Sequence, residues 1–147
     1  MNYYIKQFSE LTKEELYEIL KVRAEIFVVE QNCAYLDIDG KDEESYHLFL
    51  EENKEIISYL RVLPSGVIYD EVAIGRVLTK VTYRKKGFIR KLMNKAINFV
   101  TDSLDEKEIK ISAQVYLQDF YKSLGFTIVS DIYMEDGIEH MEMLYKR

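Results

Sequence analysis

Val77-Leu78-Thr79-Lys80-Val81-Thr82-Tyr83-Arg84-Lys85-Lys86-Gly87-Phe88-Ile89-Arg90 runs from the end of an apolar strand, through a cationic loop, into the first turn of a helix. That helix carries Ile89, Leu92, Met93, Ala96, Ile97 and Val100 on one face, at a period of about 3.6. A helix start leaves its first amides without partners and presents the positive end of the helix dipole. With Arg84, Lys85, Lys86 and Arg90 beside it, this start forms an anion site suited to a pyrophosphate and implies a phosphorylated cofactor. The plainer alternative is a solvated basic turn. Neither GxGxxG nor GxxxxGK[ST] occurs, so the dinucleotide-fold and P-loop fingerprints are missing.

Upstream of this stretch, Val72 to Thr79 reads as a strand whose Gly75 marks a bulge or a close approach. His47-Leu48-Phe49-Leu50 and Ile56 to Val62 flank Glu52-Asn53-Lys54-Glu55 as a hairpin, ended by Pro64-Ser65-Gly66. Thr12-Lys13-Glu14-Glu15 is a capping box and opens a helix running to about Glu30, with Leu16, Ile19, Leu20, Ile26 and Phe27 on its apolar stripe. Arg23 interrupts the stripe, either snorkelling, pairing with a carboxylate or serving as a ligand. Between Gln31 and Tyr46 lies an acidic loop around Gly40, read as a solvated face or as a wall that attracts a cationic amine. Tyr3 to Phe8 is the first strand.

Downstream, Ile109 to Ala113 is a short strand. Leu117, Phe120, Tyr121 and Leu124 mark a brief helix stopped by Gly125. Phe126 to Tyr133 and His140 to Tyr145 are two closing strands turned by Glu135-Asp136-Gly137. The order β-α-ββ-β-α-β-α-ββ gives an α/β (α+β) single domain over residues 1–147, the size one core occupies.

The formal charge of −6, from 20 basic and 26 acidic residues, argues against nucleic acid or an anionic membrane as partner. No apolar run approaches the roughly 20 residues that span a bilayer. A lone Cys33 and an N-terminus without a signal layout read as cytoplasmic. Placing Gly40 at the sixth position of a calcium loop puts Tyr35 and Tyr46 at its ends, where carboxylates are required, so that reading fails. Cys33, His47 and His140 lack a zinc spacing, and no metal is expected.

Arg84-Lys85-Lys86-Gly87-Phe88-Ile89 resembles the [QR]-x-x-G-x-[GA] acetyl-CoA motif of the GNAT acetyltransferase family, with Ile89 in place of the small residue. Gln114-Val115-Tyr116-Leu117-Gln118-Asp119-Phe120-Tyr121-Lys122-Ser123-Leu124-Gly125-Phe126 resembles the family's N-x-x-A-x-x-F-Y-x-x-x-G-F. Further blocks, from Leu20 to Cys33, Tyr35 to Gly40, Ile74 to Val77, Ser112 to Gln114 and Glu135 to His140, are similar to the ElaA-type branch.

The resemblance implies the GNAT fold, a mixed, mostly antiparallel sheet splayed between its fourth and fifth strands with helices on both faces. It also implies acetyl transfer from acetyl-CoA to a primary amine of a small molecule or peptide by direct attack. Main-chain groups of Val77, Leu78 and Thr79 and the loop Arg84, Lys85, Lys86, Gly87, Phe88, Ile89 and Arg90 would bind the cofactor, with Gln114 at the pantetheine arm. Tyr121 matches the family's general acid and also borders the cofactor. A base for the ammonium is sought among Glu30, Asp37, Asp39 and His140, of which Glu30 and His140 are carried forward. Arg61 and Arg76, with Asp37, are placed at the acceptor, where the arginines grip a carboxylate or pair with the acidic loop. A homodimer is compatible with the resemblance. The rival reading is a non-catalytic CoA-binding or protein-interaction module on the same fold.

Overall fold

Thr12 starts the first helix through a reciprocal cap: Glu15 N donates to Thr12 Oγ1 at 3.0 Å and Thr12 N donates to Glu15 Oε1 at 2.9 Å. The computed structural model describes all 147 residues. Helix α1 (Lys13–Arg23) continues without a break as a wider π-helical segment, Ala24–Glu30. Its length matches the expectation from the sequence. Ile19, Val22 and Ile26 form its buried face, with Arg23 fully buried among them. They pack on Phe49, Ile56, Tyr59 and Leu78, a small core on one side of the sheet.

Strands β1 (Asn2–Gln7), β2 (Tyr46–Glu52), β3 (Glu55–Leu63), β4 (Val72–Thr79), β5 (Glu108–Gln114), β6 (Phe126–Ile128), β7 (Tyr133–Glu135) and β8 (Ile138–Lys146) form one sheet in the order β1-β2-β3-β4-β5-β8-β6, with β7 also on β8. Alternation along β2 and β3 builds two cores. Phe49 and Tyr59 pair toward α1, whereas Leu48 and Leu60 pair toward the opposite face. There Leu92, Met93, Ala96 and Ile97 of α2 (Phe88–Asn98) and Tyr121 of α3 (Gln118–Ser123) close the larger core. No helix is long and apolar enough to cross a membrane.

Every neighbouring strand pair is antiparallel except β4 and β5, which run parallel and pair only at Val72↔Ile109 and Ala73↔Lys110. Beyond those rungs the two strands part, and the sheet is splayed where the family resemblance places the gap. The bulge expected near Gly75 falls beside it: Tyr59 pairs Leu78 and Arg61 pairs Gly75, leaving Leu60 opposite both Arg76 and Val77, with Arg76 at φ 53°. A bulge releases its extra residue from the ladder and re-aims it.

One strand is corrected. The span from Phe126 to Tyr133 is two strands, because Ser130 Oγ accepts the Glu142 amide at 2.8 Å and replaces a ladder bond with a side-chain one. The Asp136-Gly137 turn forms as expected, both residues at positive φ (50° and 77°) as a type I′ hairpin requires.

Candidate active site

The cationic loop ends in Gly87, whose φ of 81° suits glycine, and its side-chain-free position leaves the start of α2 uncapped. No acidic residue lies in the first turn, so the amides of Phe88, Ile89 and Arg90 and the helix dipole remain available to an anion. Arg84 Nε donates to the Thr79 carbonyl at 2.9 Å, tying the loop to the end of β4. Its Nη2 reaches Glu30 Oε1 and Oε2 at 2.9 and 2.7 Å.

A cavity of about 880 Å³ begins at this loop, passes along the bulged part of β4 and continues through the splay to β7 and β8. Of the residues singled out from the sequence, it brings together Glu30, Asp39, Arg61, Arg76, Val77, Leu78, Thr79, Arg84, Lys85, Gly87, Phe88, Ile89, Gln114, Tyr121 and His140. Asp37, Lys86 and Arg90 do not line it. Lys86 lies over the Tyr83 ring, and Arg90 donates to Ser123 Oγ at 2.9 Å over the Phe120 ring. Ile89 packs toward the larger core while also facing the cavity.

Tyr121 is held edge-on between Phe120 and Phe126, at 5.2 and 6.0 Å between ring centroids. Burial pushes its phenol well above the usual tyrosine range, which keeps the proton on the oxygen. That residue lines the cavity, and its hydroxyl is not sealed away from it.

The acidic loop is not the solvated face that its composition favours. Asp37, Asp39 and Asp42 are matched by Arg23, Arg61 and Arg76 in a largely buried network. Arg23 bonds Asp37 Oδ2 at 2.9 Å, Asp42 Oδ1 at 2.6 Å and the Asp37 carbonyl at 3.0 Å. Arg61 Nη1 reaches Asp39 and Asp42 at 2.9 Å each. Arg76 Nε lies 2.8 Å from Asp37 Oδ1, at ion-pair distance but off the hydrogen-bond axis. Burial opposes the charge on Asp39 and Asp42, yet the guanidinium partners outweigh it and hold both carboxyls below their ordinary range. Asp37 is therefore engaged in this network and does not line the cavity, whereas Arg61 and Arg76 line it with their charge paired to the acidic loop.

His140 is nine-tenths buried. Its Nδ1 faces the Ile138 carbonyl at 2.8 Å; a carbonyl only accepts, so Nδ1 is the donor there and Nε2 is the nitrogen left to face the cavity. Nε2 stands 3.3 Å from Glu135 Oε2 without a hydrogen bond, and both residues line the cavity. Glu135, Ser112 and Tyr133 went unnoticed as site residues: Ser112 Oγ donates to Glu135 Oε2 at 3.2 Å and lies 2.5 Å from Tyr133 Oη. The register of β5, β7 and β8 makes them neighbours; the sequence placed Ser112 and Glu135 in blocks similar to the ElaA-type branch and Glu135 in a turn, without giving any of the three a role. Cys33 also lines the cavity, its thiol 3.4 Å from the Asp136 carbonyl. No group of His, Cys, Asp and Glu is disposed to hold a metal ion.

One end of the cavity thus presents free amides and cations, and its middle passes through the parted sheet. The chain belongs to the GNAT acetyltransferases, whose domain family, "Acetyltransferase (GNAT) domain", matches residues 9–147. Within that family it falls in the ElaA-type branch: it is 40% identical over 137 residues to the protein ElaA of Escherichia coli K12, covering 92% of this chain and 90% of ElaA. The crystal structure of Escherichia coli ElaA superposes with a TM-score of 0.93 at 36% identity, over 99% of this chain and 100% of that one. An acyl-CoA N-acyltransferase from Pseudomonas aeruginosa superposes with a TM-score of 0.92 at 35% identity, over 99% of each chain. An aminoglycoside 6'-N-acetyltransferase complexed with coenzyme A shares the fold, with a TM-score of 0.70 at 14% identity over 97% of this chain and 96% of that one.

Proposed function

We propose that this protein transfers acetyl from acetyl-CoA to the primary amine of a small molecule or peptide by direct attack. The observation that carries the reading is the continuity of one cavity from the uncapped start of α2, past the β4 bulge, to the Nε2 of His140. The pyrophosphate lies on the amides of Phe88, Ile89 and Arg90 with Arg84 and Lys85 beside it. Main-chain groups of Val77, Leu78 and Thr79 hold the pantetheine and the thioester carbonyl, so the developing oxyanion meets a preorganised donor. Gln114 Nε2, whose contact with Gln31 Oε1 is long at 3.5 Å, is free to turn to the pantetheine arm.

The acceptor nitrogen gives its proton to His140 Nε2 and attacks the carbonyl carbon. As the C–S bond breaks, Tyr121 Oη protonates the leaving thiolate and the phenolate regains the second proton shed by the nitrogen, leaving the amide and the free CoA thiol. His140 is favoured over Glu30 as base because both oxygens of Glu30 are engaged by Arg84. Two measurements test the reading: melting with acetyl-CoA, and thiol release from acetyl-CoA in the presence of primary amines. A ligand at a hundredfold excess over Kd stabilises the native state by about 2.7 kcal/mol, so the melting temperature rises. An unmoved melting curve at millimolar acetyl-CoA, together with no amine-dependent thiol release, overturns it.

A further inference from the structure

The acceptor end of the cavity has two walls of unlike charge. On the α1 side, Arg23, Arg61 and Arg76 cancel Asp37, Asp39 and Asp42. Opposite them, Glu135 and Asp136 line the cavity with no Lys or Arg in an ion pair to either. Outside the cavity lining, Glu71 and Glu142, the latter paired across the ladder with Ser112, share a single cation, Lys110, at 3.7 and 3.9 Å. Even with Lys41, the cation contributed by the loop, that wall keeps an excess of negative charge. The Tyr69 phenol, pushed up to about 12 by burial and then by the charges of Tyr133, Glu142, Glu135 and Glu71, registers the same field. Independently of charge, His140 is nine-tenths buried and presents an unbonded Nε2 to the cavity next to Glu135.

We infer that the acceptor is a dication, a diamine or polyamine whose reacting amine sits at His140 Nε2 and whose second ammonium is held by Glu135. The inference rests on the reading that an amine is acylated at this cavity. An ammonium that reacts must first surrender its proton, so it does not remain the counter-ion of Glu135. That carboxylate is 51% exposed and fixed in place by Ser112, and the acceptor's second charge is what matches it. A carboxylate on the acceptor would instead face Glu135 and Asp136 across the same wall, which disfavours amino acids.

Three amines with the same four-carbon chain separate the possibilities: butylamine, γ-aminobutyrate and putrescine. With acetyl-CoA as donor, kcat/KM should be highest for putrescine, about tenfold above butylamine, the ratio that one charge contact of about 1.4 kcal/mol supplies. It should be lowest for γ-aminobutyrate. Glu135→Gln should bring the putrescine to butylamine ratio down to near unity and weaken the salt dependence of putrescine turnover. The same amines are titrated against the CoA-saturated protein by calorimetry. Glu135-dependent putrescine binding without turnover would keep the acceptor class and overturn the acyl-transfer reading. Turnover or binding that favours γ-aminobutyrate, a ratio unmoved by Glu135→Gln, or no binding of putrescine overturns the inference.

Discussion

Arg84 holds Glu30 through both carboxylate oxygens, at 2.9 and 2.7 Å from one Nη2, so the cationic loop before α2 is latched to the end of the first helical segment. Both side chains are more than a third exposed, and such a pair contributes about 0.2–1 kcal/mol. Glu30→Gln should therefore leave the melting temperature nearly unchanged. By releasing Arg84 and removing a negative charge from the loop, it should tighten CoA binding about two- to fivefold at low salt, with the gain lost at high salt. Isothermal titration of CoA at two ionic strengths checks this. If turnover instead drops by roughly 10² to 10⁴, Glu30 is the base and His140 is not.

Tyr121→Phe separates chemistry from packing. The hydroxyl makes no hydrogen bond within the protein and is not sealed in, so its removal strands no partner and should change stability by less than about 1 kcal/mol. The proposed role, an acid that protonates departing CoA, requires that its loss lower kcat by roughly 10² to 10⁴ while CoA affinity holds. A variant that turns over at more than half the parent rate with a confirmed amine would remove Tyr121 from the mechanism.

Legibility followed the range of each interaction. The cap at Thr12, the helical period from Ile89 to Val100 and the Asp136-Gly137 turn are settled within a few residues, and each is legible in the amino-acid sequence alone. Motif spacing likewise located the uncapped loop at Arg84 to Gly87. The sequence left open that Arg23 meets a carboxylate and that Arg61 and Arg76 pair with the acidic loop, but it could not name the partners, because Arg23 reaches 14 and 19 residues along the chain, and Arg61 reaches 22 and 19, to meet them. Composition alone presents Asp37 to Glu44 as a polar loop. The Ser112, Tyr133 and Glu135 group depends on strand register, which Ser130 alters by capturing the Glu142 amide.

Arg23→Ala tests how deeply that network is built into the fold. Arg23 is fully buried, and its removal leaves Asp37 and Asp42 short of their counter-charge in a site with little water. Breaking a buried pair by deleting one partner costs about 3–5 kcal/mol, a large share of the roughly 5–15 kcal/mol typical of a domain. Lys6→Ala, which breaks the partly buried pair with Glu15 at 2.8 Å, should cost about 1 kcal/mol, less than the loss at the fully buried Arg23. Denaturant midpoints at constant m-value compare the two. Equal losses would mean that the network is bystander polarity rather than a support for the cavity wall.

Acid should unfold the protein in two stages, and His47 sets the first. Its Nε2 faces the Asp42 carbonyl at 2.9 Å and carries the proton, while Nδ1 accepts from the Tyr59 phenol at 2.6 Å. Burial, and then the charges of Arg23 and Arg61, outweigh the pull of Asp42 and hold its pKa below the ordinary value, so the native imidazole stays neutral. Above about pH 6.5 both native and unfolded forms are neutral and the group contributes nothing to the slope. Below that the unfolded chain binds a proton that the native state refuses, and stability falls as pH falls, by up to about 1.4 kcal/mol per pH unit. Asp39 and Asp42 are depressed carboxyls, so their stabilisation is complete above about pH 4 and is lost as pH drops through and below that value. Thermal melts from about pH 7 to pH 3 should show a shallow decline that steepens below about pH 4. His47→Gln should start less stable at about pH 7 by about 1 kcal/mol, from the loss of a buried hydrogen bond, yet should flatten the stretch between about pH 6.5 and pH 5. A variant whose decline over that stretch parallels the parent's would place the first stage on another group.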